Sequence, residues 1–137
     1  MYNPEIWGPG AWLFLHTITL NYPSNPTQQD KDNYKNFFIL LKNVIPCKNC
    51  AKHYSENLNT YPIDKSLNSK EDLVKWLVDI HNEVNVKNNK RKYSYNEVID
   101  KYNKLYSPKT NCCMIITVIV LILFAIYFLR KIIKEIK

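Results

Sequence analysis

Residues 69–85 of the 137-residue chain read S-K-E-D-L-V-K-W-L-V-D-I-H-N-E-V-N. The apolar side chains in this stretch recur at the spacing i, i+3, i+4, i+7 and i+11, and they are Leu73, Trp76, Leu77, Ile80 and Val84. This spacing places them on one face of an α-helix. Ser69 stands just before the run and Asp72 follows three residues later, which is typical of a helix N-cap. The stretch therefore predicts a helix with one buried face.

Similar patterns lie on both sides of this helix. The other predicted helices are, in chain order, Pro9–Asn21, Thr27–Ile45, Cys47–Leu58 and Tyr95–Asn103. Pro9 suits a first helical turn, and Pro46 cannot continue the second helix. Asp30, three residues after Thr27, completes a second capping pattern. The sequence predicts an all-α fold, a small bundle of four or five helices formed by residues 1–105, with a linker at residues 106–112.

The C-terminal part differs in composition from this helical head. No residue from Cys113 to Leu129 is charged, and the stretch is apolar on every side rather than on one face. A buried core helix is the alternative, but such a helix normally has a polar face. We expect a single transmembrane helix at residues 113–133, followed by a basic tail at residues 134–137. With no signal peptide recognisable before it, this helix predicts a C-terminal anchor with the head in the cytosol. The tail at residues 130–137 has a net charge of +3, which by the positive-inside rule favours the opposite orientation, so both orientations stay open.

The charge distribution does not indicate nucleic-acid binding. The chain has 19 Lys and Arg residues against 12 Asp and Glu residues, a net charge of +7. Part of this charge lies in the tail, and the lysines of the head are dispersed rather than arranged in a stripe. We therefore predict no nucleic-acid partner.

The pair Cys47-Lys48-Asn49-Cys50 carries the clearest chemistry. At a helix start, the free backbone N–H groups and the helix dipole favour a thiolate. A structural disulfide across so short a loop would constrain the unfolded chain little. A zinc site would need further ligands, and the sequence has no second Cys-x-x-Cys. The pair predicts redox chemistry, and we predict no bound metal.

Rings and amides cluster on two other predicted helices. Gly8, Trp12 and His16 lie at i, i+4 and i+8, and His81 and Asn85 lie at i and i+4. Asn82 stands beside this second pair, and His53 follows Cys50 by three residues. Each residue taken singly is more often a core or surface residue. Together they suit a planar heteroaromatic cofactor held by rings and amide donors.

Four motifs occur in order along the head. They are Trp7-Gly8-x-x-x-Trp12-x-x-Leu15-His16-Thr17, Tyr22-Pro23, Pro46-Cys47-x-x-Cys50-x-x-His53 and Trp76-x-x-x-x-His81-Asn82-x-Val84-Asn85. Together they resemble the Erv/ALR family of FAD-linked sulfhydryl oxidases from about Trp7 to Tyr102. The resemblance implies a helical bundle that holds FAD, forms a homodimer and passes electrons from substrate thiols through the cysteine pair to the flavin and then to oxygen.

The resemblance also implies residue roles. Cys50 is the flavin-proximal sulfur, and Cys47 is the outer sulfur that the substrate thiolate attacks. The implied FAD contacts are Gly8, Trp12, His16, Cys50, His53, His81, Asn82, Val84, Asn85 and Lys90, with Tyr93 and Tyr102 in place of other aromatics. The sequence departs from the family where Val78 and Tyr95 replace a disulfide, and where Asn88-Asn89-Lys90-Arg91 replaces Leu-Gly-Lys-Pro.

Cys112 and Cys113, at the edge of the expected membrane helix, have no counterpart in these motifs. Palmitoylation, a shuttle role toward Cys47 and inert thiols are all open for them. The sequence predicts a membrane-anchored FAD-dependent thiol oxidase, 2 R-SH + O2 → R-S-S-R + H2O2, in a host or virion membrane of a large DNA virus. Two alternatives are a zinc-binding membrane adaptor using Cys47, Cys50, His53 and Cys112, and an inactive membrane scaffold of the same fold.

Overall fold

The computed structural model describes residues 2–108 and 112–136, with side chains of residues 116–134 in the last helix. It divides into two units, Met1–Tyr102 and Asn103–Lys137. The helices are α1 Pro4–Leu20, α2 Gln28–Leu41, α3 Lys48–Thr60, α4 Lys70–Lys87, α5 Tyr95–Tyr106 and α6 Cys112–Ile136, with a 3₁₀ turn at Ile63–Ser66 between α3 and α4. The described residues contain no strand. The predicted all-α fold is confirmed.

Two of the helix starts are capped as the sequence predicted. The Thr27 hydroxyl accepts a hydrogen bond from Asp30 N at 3.2 Å, and the Asp30 carboxylate accepts one from Thr27 N at 2.9 Å. The Ser69 hydroxyl likewise accepts from Asp72 N at 3.1 Å. Each bond satisfies a backbone N–H group that has no partner inside the helix. These local signals fix where α2 and α4 begin.

The prediction that α1 begins at Pro9 is wrong, because the helix starts at Pro4. Asn3 caps it by accepting a hydrogen bond from Glu5 N at 2.9 Å, and Pro4 occupies the first helical position. Pro9 therefore lies inside the helix, where it removes one backbone hydrogen bond.

The prediction that Ile45 belongs to α2 is also wrong. The helix ends at Leu41, and the Leu41 carbonyl accepts hydrogen bonds from Val44 N and Ile45 N at 3.1 and 3.2 Å. Pro46 has no backbone N–H, and in a continued helix its ring would clash with the carbonyl four residues before it, at Lys42. The helix therefore ends several residues before Pro46. Cys47 then becomes the N-cap of α3 rather than its first residue.

The main core forms around α4, which packs against α1, α3 and the 3₁₀ turn. Four of the five predicted stripe residues are buried, and Val84 is half-buried. The fully buried members of the core cluster include Tyr22, Phe38, Leu73, Leu77 and Ile80. Two polar side chains of this core are paired: the Trp76 indole donates to the Tyr61 carbonyl at 2.8 Å, and the Tyr54 hydroxyl donates to the Phe38 carbonyl at 2.9 Å. This packing fixes the orientation of the functional end of α4.

A second, smaller cluster joins α4 to α5. Val78 packs with Val98 and Tyr102, and Leu20 of α1 covers them. The cluster includes Val78, one of the two positions at which the resemblance implied a missing disulfide. Apolar packing therefore holds α5 against α4 at this place.

The unit Asn103–Lys137 contains the last helix, α6. Its segment Ile116–Lys134 has a mean hydropathy of 2.4 and no buried residues within the chain, and by length and composition it could cross a membrane. A 25-residue helix is about 37 Å long, more than the roughly 30 Å hydrocarbon core of a bilayer. The expected span at residues 113–133 lies within this helix.

Candidate functional site

Aromatic and imidazole rings from three helices meet at one place, which we call the ring cluster: Trp12, His16, His81 and Tyr102. The Trp12 and His81 rings stack with centroids 3.8 Å apart and an angle of 5° between their planes. His16 Nε2 lies 3.0 Å from His81 Nδ1, at hydrogen-bonding distance. The Tyr102 ring lies 5.1 Å from the His16 ring, and its hydroxyl donates to the Trp12 carbonyl at 3.4 Å. The structure thus brings four of the predicted site residues together.

Burial keeps both imidazoles of the ring cluster neutral. Desolvation, the His81 ring and the charge of Lys101 lower the pKa of His16 from 6.5 to about 3. Desolvation, with the charges of Lys101 and Lys90, lowers the pKa of His81 to about 4. A neutral imidazole has one N–H donor and one acceptor, so one of the two rings donates to the other. The site therefore offers neutral rings beside positive charge.

One polar atom of the ring cluster has no partner. His16 is 1% exposed, and its Nδ1 atom is buried without a hydrogen bond among the described residues. An unsatisfied buried polar atom costs about 1–3 kcal/mol. A ligand with a complementary polar group would remove this cost.

Asn82 holds the segment after α4 in place. Its side-chain amide donates to the Tyr93 carbonyl at 2.8 Å, and its side-chain carbonyl accepts from Tyr93 N at 2.8 Å. Lys90 N donates to the Asn85 carbonyl at 2.8 Å, and Asn89 takes a left-handed conformation with φ 56°. The segment that departs from the family pattern is therefore fixed to α4. Both polar ends of the Asn82 side chain bind this segment, which makes Asn82 a positioning residue.

Cys47 and Cys50 form a disulfide at the start of α3, with their Cα atoms 5.2 Å apart. The Cys47 sulfur caps the helix by accepting a hydrogen bond from Cys50 N at 3.2 Å. The first turn of α3 contains no acidic residue, so the helix dipole acts on the sulfurs without a neutralising carboxylate. Cys47, the expected outer sulfur, is 4% exposed, whereas Cys50 is half-buried.

The remaining predicted site residues belong neither to the ring cluster nor to the disulfide. Gly8 is half-buried, and an added Cβ would meet nothing within 4 Å. Val84 is half-buried and Asn85 buried, whereas His53, Lys90 and Tyr93 are exposed. The contacts of the described residues do not link His53 to the ring cluster; its charge acts on Glu56.

Lys101 is the residue that the sequence analysis missed. Its charge lowers the pKa of both His16 and His81, so it lies near the ring cluster. Its position next to Tyr102 was the available signal. Among the described side chains, no three His, Cys, Asp or Glu residues converge as metal ligands.

The fold and the site define a helical redox protein with a Cys-x-x-Cys disulfide and a separate cluster of neutral rings. The Erv1 / Alr family matches residues 9–104, and the chain belongs to this family. A probable FAD-linked sulfhydryl oxidase of Acanthamoeba polyphaga mimivirus is 44% identical over 108 residues, which are 78% of this chain and 76% of that protein.

Similar proteins also occur in plants and fungi. FAD-linked sulfhydryl oxidase ERV1 of Arabidopsis thaliana is 33% identical over 108 residues, covering 79% of this chain and 56% of that protein. The crystal structure of the yeast Erv1 core superposes with a TM-score of 0.68 at 28% identity, covering 81% of this chain and 89% of that one. The chain thus spans about half the length of the plant relative and most of the yeast core.

The two buried imidazoles predict an acid-sensitive fold. In the unfolded chain a histidine binds a proton below about pH 6.5. In the folded chain the pKa of His16 is about 3 and the pKa of His81 is about 4, so both rings stay neutral well below pH 6.5. The unfolded state therefore binds more protons, so this contribution to stability is complete above pH 6.5 and is lost as the pH falls towards 4. We expect the free energy of unfolding to fall by about 2 kcal/mol between pH 6.5 and pH 5 because of His16 alone.

Urea unfolding of the full chain at both pH values, followed by tryptophan fluorescence, measures this loss. His16→Gln should lose less stability over the interval than the wild type. His53→Gln, which removes an exposed imidazole, should lose as much as the wild type. Equal pH dependence in all three proteins would contradict the prediction.

Proposed function

We propose that the chain is an FAD-dependent thiol oxidase that makes disulfide bonds, 2 R-SH + O2 → R-S-S-R + H2O2. The observation that carries the proposal is the Cys47–Cys50 disulfide at the start of α3, in a chain that belongs to the Erv1 / Alr family. Its relatives in mimivirus and in Arabidopsis are both described as FAD-linked sulfhydryl oxidases. The substrates are protein thiols, and oxygen is the proposed final acceptor.

The ring cluster suits FAD. The unpaired Nδ1 atom of His16 is available to a polar group of the cofactor, and the neutral rings offer flat faces for stacking. Lys90 and Lys101 place positive charge beside His81, which suits a pyrophosphate. The residues proposed to hold FAD are Gly8, Trp12, His16, Cys50, His53, His81, Asn82, Val84, Asn85, Lys90, Tyr93 and Tyr102, and Asn82 also positions Tyr93. When bound, FAD supplies a two-electron acceptor that oxygen can reoxidise.

The cysteine pair performs the exchange steps. A substrate thiolate attacks the Cys47 sulfur, a bond forms between these two atoms, and Cys50 leaves as a thiolate. A second substrate thiolate then attacks the first substrate sulfur, which releases Cys47 as a thiolate and the substrate as a disulfide. The electron pair remains on the reduced pair, and Cys50 is the sulfur that passes it on. The N-terminal end of α3 stabilises both thiolates.

Variants of the two cysteines test this assignment. We expect Cys47→Ser and Cys50→Ser each to abolish oxygen consumption with dithiothreitol, because either change removes the disulfide. The double variant Cys112→Ser/Cys113→Ser should keep the wild-type rate with this small dithiol. An oxygen electrode measures the rate, and a visible spectrum of the purified chain should show flavin absorbance.

Three results would contradict the proposal. The first is wild-type oxygen consumption in either single variant. The second is a colourless chain with stoichiometric zinc, which would favour the zinc-binding adaptor. The third is a colourless chain without zinc or activity, which would favour the inactive scaffold. The side chain of Cys112, which the adaptor needs, lies outside the described residues.

We further propose that the head forms a homodimer through α1 and α2. Large apolar side chains are exposed there: Leu13 is 40% exposed, Phe14 60%, Phe37 36% and Leu40 59%. The Phe14 and Phe37 rings contact each other edge to face, with centroids 6.5 Å apart, so these side chains lie on one surface. An exposed apolar patch of this kind is typical of a protein–protein interface.

A charge placed in this patch should separate the subunits. We expect Phe14→Lys/Leu40→Lys to be monomeric, because an interface core does not accommodate an unpaired buried charge. Val86→Lys, at another exposed apolar position of the head, should leave the dimer intact. Light scattering of the detergent-solubilised full chain gives the mass, and a monomeric wild type would contradict the proposal.

Membrane anchoring by α6 is the third part of the proposal. We propose a domain at residues 1–105, a linker at 106–112, a single span at 113–133 and a basic tail at 134–137. The apolar segment Ile116–Lys134 supports the span. Three lysines in residues 101–112 nearly balance the four basic residues after Leu129, so flanking charge favours neither orientation. A head that faces the cytosol, on a host or virion membrane, stays a prediction.

Charges placed in the span test the anchor. One Arg at the centre of a membrane helix costs about 2.5–3.5 kcal/mol, so Leu121→Arg/Phe124→Arg should release the chain from membranes on alkaline extraction. Leu105→Arg, at an exposed leucine outside the span, should remain in the membrane pellet. Protease protection of the head in sealed vesicles gives the orientation. A wild-type chain that is extracted at alkaline pH would contradict anchoring.

A further inference from the structure

Three lysines lie within five residues of the redox cysteines in the sequence, and we call them the basic collar: Lys42, Lys48 and Lys52. Lys48 follows Cys47 directly and shares a face of α3 with Lys52, one turn further on. Lys42 is the C-cap of α2, five residues before Cys47. No Asp or Glu occurs between Asp32 and Glu56, so the sequence places no carboxylate within this segment.

Ion pairing among the described residues of the head does not involve the basic collar. Five basic residues form ion pairs, and these pairs are Lys35–Asp64, Lys75–Glu71, Lys87–Glu56, Arg91–Glu97 and Lys92–Glu83. Lys42 and Lys48 have no such partner among the described residues. Lys52 acts on Glu56, but that carboxylate already binds Lys87 at 3.2 Å. The positive charge of the collar is therefore largely uncompensated within the head.

The helix adds to this field. The N-terminal end of α3 carries a partial positive charge, and its first turn contains no acidic side chain to offset it. The attacking group in thiol–disulfide exchange is itself an anion. Uncompensated positive charge beside a reacting centre raises the local concentration of anionic partners.

Access to Cys47 restricts the shape of the partner. Cys47 is 4% exposed, and an attacking thiolate must approach its sulfur in line with the disulfide bond. The loop just before it is exposed and partly apolar, since Pro46 is exposed and Val44 is 72% exposed. A cysteine on a rigid folded surface fits this approach poorly, whereas one in an extended segment can enter.

We infer that the basic collar is a docking surface for an extended, acidic segment of the substrate protein that carries the reacting cysteine. This inference rests on the proposed thiol oxidase function and names its substrate class. Acidic residues next to the substrate cysteine would contact Lys42 and Lys48 while the thiolate reaches Cys47. Charges at the rim of an interface act mainly on the association rate, and salt screens them.

Two unstructured dithiol peptides of equal length test the inference, one with Asp and Glu around its cysteines and one with Lys. The flavin-loaded full chain in detergent is assayed by oxygen consumption. At low ionic strength we expect kcat/KM for the acidic peptide to exceed that for the basic one by about tenfold. At about 0.5 M salt, where the Debye length is only a few ångströms, the two values should converge.

Charge reversal identifies the surface. Lys42→Glu/Lys48→Glu should invert the preference between the peptides at low ionic strength. At about 0.5 M salt the variant should keep dithiothreitol oxidation within about twofold, because salt screens the charge of the small thiolate and this dithiol needs no docking. The matched control is Lys65→Glu/Lys70→Glu, the same change beyond the far end of α3, about 20 Å along that helix. The control should keep the wild-type preference.

The outcomes separate the two hypotheses. A flavin-loaded chain that does not oxidise dithiothreitol would overturn the proposed function. A chain that oxidises dithiothreitol but treats both peptides equally at low salt would overturn the inference alone. An inverted peptide preference in the control variant would also overturn the inference, because the preference would then reflect the net charge of the chain and not the basic collar.

Discussion

The contact between His16 and His81 is the interaction on which the functional end of the molecule depends. It joins α1 to α4 through two imidazoles that burial keeps neutral. If either ring carried a proton at neutral pH, the helices would bury a charge without a counter-ion, at a cost of several kcal/mol. The same neutrality leaves the rings free to stack on a flat partner. Helix packing and cofactor binding thus both require the His16 and His81 side chains to be neutral.

The parts of the fold that follow from local sequence were predictable. The period of α4 and the caps at Thr27 and Ser69 involve residues within one or two turns, so the pattern alone reveals them. The start of α1 was missed because Asn3-Pro4 and Pro9 both suit a helix start, and the sequence alone gives no reason to prefer the first. The early end of α2 follows from the clash that the Pro46 ring would make with the Lys42 carbonyl in a continued helix.

Three members of the ring cluster, Trp12, His16 and His81, were predicted from spacing on single helices. Tyr102 was predicted from the family resemblance, and the four rings do meet. The pairing of Asn82 with Tyr93 was not predictable, because it joins a helix to an irregular segment 11 residues further on. The influence of Lys101 depends on how α5 packs against α4, which the sequence does not reveal. The burial of Cys47 likewise results from tertiary packing. Function was therefore easier to infer than the details of access to the site.

The cap of α3 has a thermodynamic consequence. The sulfur that accepts the Cys50 N–H bond belongs to Cys47, the atom that gains negative charge when the disulfide is reduced. An anionic sulfur is a stronger acceptor than a disulfide sulfur, so reduction strengthens the helix cap. By linkage, a fold that favours the dithiolate raises the reduction potential of the pair. The free energy by which reduction strengthens the cap of α3 is therefore the same free energy by which the fold raises the reduction potential of the pair.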